Sequence, residues 1–167
     1  ALMIPESSTH LFSGQVALVQ LGLNPRVIHD SLAMAADFTE HGFDLSGNSR
    51  AAALVELRQA LDDAKDFSRN KKAALAGDHR NYELSYADLA ALESVVNGSK
   101  PLLVHTNRAS DIRNILKLAK EFQLNLILSS VMEGWMVADE IAAAGVPVII
   151  DPINNLPSSY ETLGPRL

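Results

Sequence analysis

The chain has 167 residues, 47% of them hydrophobic, enough to close one sizeable core or to supply part of a larger one. A net charge of -6, with 14 basic residues scattered along the sequence, argues against a nucleic-acid partner, and the lack of cysteine excludes disulfides, a thiolate nucleophile and cysteine-ligated zinc. No run of about 18 or more apolar residues occurs, so no membrane-spanning helix and no membrane partner are expected, and cytoplasm and periplasm stay equally open.

Residues 1–22 read as strand, turn and strand: 2–4 and 16–21 are apolar, the turn lies in "PESSTHLFSG", and Asn24-Pro25 then breaks the pattern. Residues 23–99 read as mainly helical. The Ala-rich segment 31–36 predicts a short helix, and 51–70 predicts the longest one, with Ser49 as its cap. A third helix starts at Ser85, with Asp88 in a capping-box relation, and Asn97-Gly98 stops it. Between the two long helices, "RNKKAALAGDHRNYE" reads as a solvated charged face with a loop at Gly77-Asp78.

Residues 100–167 repeat. Three branched apolar runs, 102–104, 126–128 and 148–150, are followed directly by His105, Ser129 and Asp151 and are separated by two helix-patterned stretches. In the first stretch Ile112, Ile115, Leu116 and Ala119 form a stripe, with Ser110 or Asp111 able to cap its start. The second, 134–144, ends at Gly145, and Pro147 blocks its continuation. Strands this uniformly apolar are covered on both faces, as in parallel sheets, so the spacing predicts a βαβαβ unit.

In such folds, chemistry collects at the carboxyl ends of the strands, where the following loops converge. His105, Ser129, Ser130 and Asp151 fall at that edge, with Glu133 and Trp135 just beyond. His105 reads as a metal ligand or an acid/base, or else as a hydrogen-bonded structural histidine. Asp151 could face a ligand or cap the loop "DPINNLPSS", and Ser129-Ser130 could bind a substrate oxygen or cap a turn. His29, His41 and His79 lack metal-binding spacing and read as exposed or supporting; His10 could approach a site if its turn lies at the same edge. Phosphate-cradling glycine loops and the serine-hydrolase elbow are missing from the sequence.

The stretch "PLLVHTNRASDIRNILKLAKEFQLNLILSSVMEGWMVADEIAAAGVPVIIDP" resembles the later barrel units of metal-dependent amidohydrolases, particularly the imidazolonepropionase-like group. Upstream, "FSGQVALVQL" looks like the SGQ segment of these proteins, and 49–99 looks like the insertion before their histidine-bearing strand. The resemblance implies an α/β fold, a partial (β/α)8 TIM-barrel fragment with parallel strands and a helical insertion. It also implies a hydrolase of amide or cyclic amide C–N bonds, acting on a small-molecule substrate by water activated on a divalent metal, often zinc. His105 would then end the fifth strand as a metal ligand, with Ser129, Ser130, Glu133 and Asp151 around the substrate.

The sequence departs from that pattern where many relatives carry a second ligand histidine, since Ser129 and Ser130 stand there, and the HxH motif of the first strand is missing. The start at Ala1 and the stop at Leu167 suggest part of a longer chain, inactive and metal-free by itself, that self-associates through exposed sheet edges. The competing expectation is a non-catalytic binding domain, either amidohydrolase-like with lost ligands or flavodoxin-like.

Overall fold

The computed structural model describes residues 1–5 and 10–150. Among these residues six strands lie side by side in chain order: β1 (Leu2–Met3), β2 (Phe12–Gln20), β3 (Arg26–Asp37), β4 (Leu102–Thr106), β5 (Leu126–Ser130) and β6 (Val148–Ile150). The first two pairings are antiparallel and the last three parallel, and the sheet curls into a half-barrel. A flavodoxin-like arrangement would shuffle the strands about a switch point. The sequential order excludes it.

Residues 31–36, expected as a helix, are instead the inner half of β3. The helical preference of alanine is worth only tenths of a kcal/mol per residue over most others. Here the same backbone is hydrogen-bonded on both sides, with Val16 opposite Ala33 on β2 and Leu103 opposite Ala35 on β4. Pairing on two flanks outweighs the propensity, and small side chains suit the crowded concave face. Asn24-Pro25 accordingly belongs to the β2–β3 hairpin connection, and helix begins only after residue 39.

Strand alternation divides the apolar side chains into two sets. Met34, Ala36, Leu102, Val104, Leu126 and Leu128 face the helices and join the main core. Val16, Ala33, Ala35 and Leu103 form a second, smaller cluster on the concave face, with Ile4, Ile127 and Ile149 packed against it. Leu102, Leu103 and Val104 are all buried, as a strand covered on both faces requires.

The helices are α1 (Glu40–Leu45), α2 (Arg50–Ala76), α3 (Tyr86–Val96), α4 (Ala109–Phe122) and α5 (Ala138–Ala144), the last preceded by a 3-10 turn at Gly134–Val137. Ser49 caps α2 by accepting from the Ala52 amide at 3.0 Å, and Ser85 caps α3 by accepting from the Asp88 amide at 3.2 Å. The start of α4 differs from expectation. Neither Ser110 nor Asp111 caps it; Glu133 Oε2, from the loop after β5, accepts from the Ala109 amide at 2.9 Å. Asp111 is buried in the first turn and pairs with Arg50 Nε at 3.0 Å, tying α2 to α4.

The charged stretch after residue 69 is mostly exposed, as a solvated face should be, with several of its side chains gathered on Asp66. Helix α2 kinks at Asn70, whose side-chain amide donates to the Asp66 carbonyl at 3.2 Å and to the Asp66 carboxylate at 2.8 Å, so the side chain competes with the helical ladder. The helix resumes to Gly77, which closes it in the left-handed conformation at φ 81°. Beyond it, His79 Nε2 lies 2.8 Å from Asp66 Oδ2, the Tyr82 hydroxyl donates to the same oxygen at 2.9 Å, and Arg80 donates to both Asp66 and Asp63.

These donors, His79 first, hold the Asp66 carboxyl down at about 2, while burial and the same carboxylate push the Tyr82 phenol up to about 12. A depressed carboxyl stabilises the fold above its unfolded value, near 3.8, and that contribution disappears as pH falls through about 2. Because Asp66 is about a third exposed, the contribution is on the order of 1 kcal/mol after solvent screening. Urea unfolding of Asp66→Asn across pH 4 to 2 is expected to show a shallower acid loss than the parent; an identical slope would mean that the cluster adds nothing to stability.

Candidate functional site at the carboxyl ends of the strands

Asp37, His105 and Ser129 are aligned partners on three adjacent parallel strands. Each lies two residues after a concave-face apolar side chain, Ala35, Leu103 and Ile127 respectively, so alternation aims all three into the half-barrel. They line a cavity of about 440 Å³ whose other described walls include Ser13, Thr39, His41, Ser130 and Ile149.

His105 Nδ1 lies 3.2 Å from Ser129 Oγ, a long hydrogen bond that orients the ring. Nε2 has no hydrogen-bond partner among the described residues. Asp37 is only 7% exposed. Its Oδ1 accepts from the Thr39 amide at 3.0 Å and the Thr39 hydroxyl at 2.6 Å, which fixes the carboxylate at the cavity wall and leaves Oδ2 without a hydrogen-bond partner among the described residues. The turn is tight because α1 sits directly on it: Gly42 is buried against the Asp37 carbonyl, where no side chain fits.

The chain leaves β5 under strain. Ser130 and Val131 are both left-handed, at φ 71° and 48°, a conformation that β-branched residues rarely adopt. The Val131 amide donates to the Thr106 carbonyl at 2.9 Å, and the Glu133 amide to the Asn107 carbonyl at 2.8 Å, so the loop after β4 holds this turn in place. Strain of this kind persists where the surroundings over-determine it, here at the cavity rim.

Of the residues singled out in the sequence, His105, Ser129 and Ser130 come together in the cavity. Glu133 is not among its described walls; its carboxylate is committed to the start of α4. Asp151 lies outside the described residues. His79 belongs to the Asp66 cluster, and His29 and His10 are exposed. The sequence does not single out Asp37, Thr39 or His41 as site residues. His41 lacks a spacing motif, and Asp37 and Thr39 follow directly on the segment 31–36, whose composition reads as helix. A larger groove of about 690 Å³ between α4 and α5 lies on the helical side, where Arg113 and Glu140 pair across it at 2.8 Å. Despite its size it holds none of the strand-end groups.

This architecture matches a solved structure, the crystal structure of an amidohydrolase from Thermotoga maritima MSB8, with a TM-score of 0.79 over 94% of the present chain at 19% identity. The fold is amidohydrolase-like. The chain spans 43% of that protein's length, so the amidohydrolase-like unit here is less than half of its structural counterpart. No protein-family model matches the sequence, and no curated protein does. Among the described residues no helix is long and apolar enough to cross a membrane.

Proposed function

We propose that the chain forms part of the barrel of a hydrolase that cleaves amide or cyclic amide C–N bonds of a small molecule, with His105 acting at the reacting centre. The observation that carries this reading is the delivery of Asp37, His105 and Ser129 from consecutive strand ends into one concave cavity of an amidohydrolase-like fold. Ser129 orients the imidazole through Nδ1, and Nε2 is left to exchange a proton with water or with a leaving nitrogen. The surrounding hydroxyls can hold a carbonyl oxygen. The "SGQ" and "EGWMVADE" stretches favour the imidazolonepropionase-like group as the finer placement.

Zinc is the cofactor that the resemblance implies, and its catalytic sites take three protein ligands. Among the described residues there is no group of three or more His, Asp or Glu side chains placed to hold an ion. His105 and Asp37 alone do not fit a catalytic metal, so metal dependence requires ligands beyond the described residues.

Protein expressed from the complete reading frame is expected to hydrolyse cyclic amides, and His105→Ala is expected to lower kcat by about a hundredfold or more, the usual worth of a proton-transferring group. Elemental analysis of the same two proteins reports on metal: a content that falls in the variant makes His105 a ligand. Unchanged hydrolysis in the variant would defeat the assignment. Serine at the end of β5, where a second histidine would favour metal chemistry, supports a second reading: a binding domain that retains the cavity without catalysis. That reading requires ligand binding and no turnover in the parent protein.

A further inference from the structure

We propose that Asp37 anchors a cationic head group, an ammonium or guanidinium, on the ligand of the concave cavity, so that the ligand is an amine- or guanidine-bearing molecule and not a carboxylate or phosphate. The inference rests on the assignment of this cavity as the functional site.

Asp37 is 7% exposed, and no lysine, arginine or histidine forms an ion pair with it among the described residues. The two Thr39 hydrogen bonds compensate part of the cost of holding a carboxylate there, and a group of opposite charge would compensate the rest. Both Thr39 donors converge on Oδ1, which leaves Oδ2 without a hydrogen-bond partner among the described residues, on a side chain that lines the cavity. His105, the neighbour across the β3–β4 register, turns its Nδ1 to Ser129 instead. Among the described residues the countercharge is therefore missing, and the cavity is where it can enter.

The remaining walls agree with a cation. None of the described residues around the cavity is a lysine or arginine, so an anion would meet Asp37 with no fixed positive charge to offset the repulsion. Serine and threonine hydroxyls supply further acceptors for N–H groups. Ile4 and Ile149, packed against the concave-face cluster, offer an apolar wall for the hydrocarbon stem of an amine. The predicted ligand has a charged head at Asp37 and an apolar stem along the sheet.

The test is calorimetric titration of the protein with n-butylguanidinium, n-butylammonium, n-butanol and butyrate, repeated on Asp37→Asn and Thr39→Val. In the parent, both cations should bind at least about tenfold more tightly than butanol, with butyrate weakest, the range expected for a charge-assisted hydrogen bond. Asp37→Asn should remove that preference and leave butanol unchanged. Thr39→Val, which keeps the carboxylate and loosens its clamp, should weaken the preference without reversing it.

Butyrate binding as well as the cations would overturn the proposal, even if Asp37→Asn failed to fold. Zinc binding that depends on Asp37, with no preference among the organic probes, would also overturn it and make Asp37 a metal ligand. Cation binding in a protein that hydrolyses nothing would support this inference while defeating the hydrolase reading, so the two fail separately.

Discussion

Gly42→Ala is expected to destabilise the protein by about 3 kcal/mol, the upper part of the range for overpacking a tight contact. In an exposed helix the same substitution would be favourable by roughly 0.5–1 kcal/mol, because glycine loses more backbone freedom on folding. Here a Cβ would stand 1.9 Å from the Asp37 carbonyl oxygen and 2.8 Å from its carbonyl carbon. Both are backbone atoms at the end of a paired strand, so neither can swing aside as a side chain would. Either α1 lifts from the sheet or Asp37 shifts, and both disturb the cavity. Denaturant unfolding measures the loss, and a neutral or stabilising result would mean that α1 is not seated on Asp37 as described.

Arg50→Ala is expected to cost about 3 kcal/mol at neutral pH, because it strands a buried carboxylate, that of Asp111. The Asp111 side chain is 4% exposed, and its main partner is Arg50 Nε at 3.0 Å. Burial already raises the Asp111 carboxyl above its ordinary value near 3.8, and Arg50 opposes that rise. A raised carboxyl takes up its proton in the folded state before the unfolded chain does, so acidification toward 3.8 favours folding through this group. Without Arg50 the carboxyl rises further, and the deficit should narrow as pH falls from 7 to 4. A deficit equal at every pH would place the loss elsewhere, in the packing of the guanidinium over the Phe43 ring at 4.9 Å.

The parallel part of the sheet was legible because its information is local. Branched runs of three residues, each followed by a polar residue and separated by two helix-patterned stretches, mark β4, β5 and β6 without reference to anything distant. His105, Ser129 and Ser130 followed from chain direction alone. The N-terminal half depends on pairing partners far away. Residues 31–36 carry a helical composition and become strand only because β2 and β4 flank them, and with that strand unread Asp37 had no edge to stand at. Glu133 shows the same limit from the other side. Near a strand end it read as a pocket residue, yet the fold returns it to Ala109, 24 residues earlier, where the first amides of α4 need an acceptor. In the charged stretch the acceptor was likewise out of view, since His79, Arg80 and Tyr82 are gathered by Asp66, a residue of the preceding helix.

The half-barrel is also uneven in the distances its chain must close. Strands β4, β5 and β6 follow one another across single crossovers, whereas α1, α2 and α3 all intervene between the paired strands β3 and β4. A connection about three times as long adds only about 1 kcal/mol of closure entropy, because that cost grows with the logarithm of length. Lengthening or trimming the helical excursion is therefore thermodynamically mild. Its burden falls on kinetics: the β3–β4 seam, where Asp37 meets His105, is a long-range contact of the kind that slows folding. The repeating units from β4 onward need no such long closure, and the cavity lacks its carboxylate wall until the amino-terminal hairpin is docked.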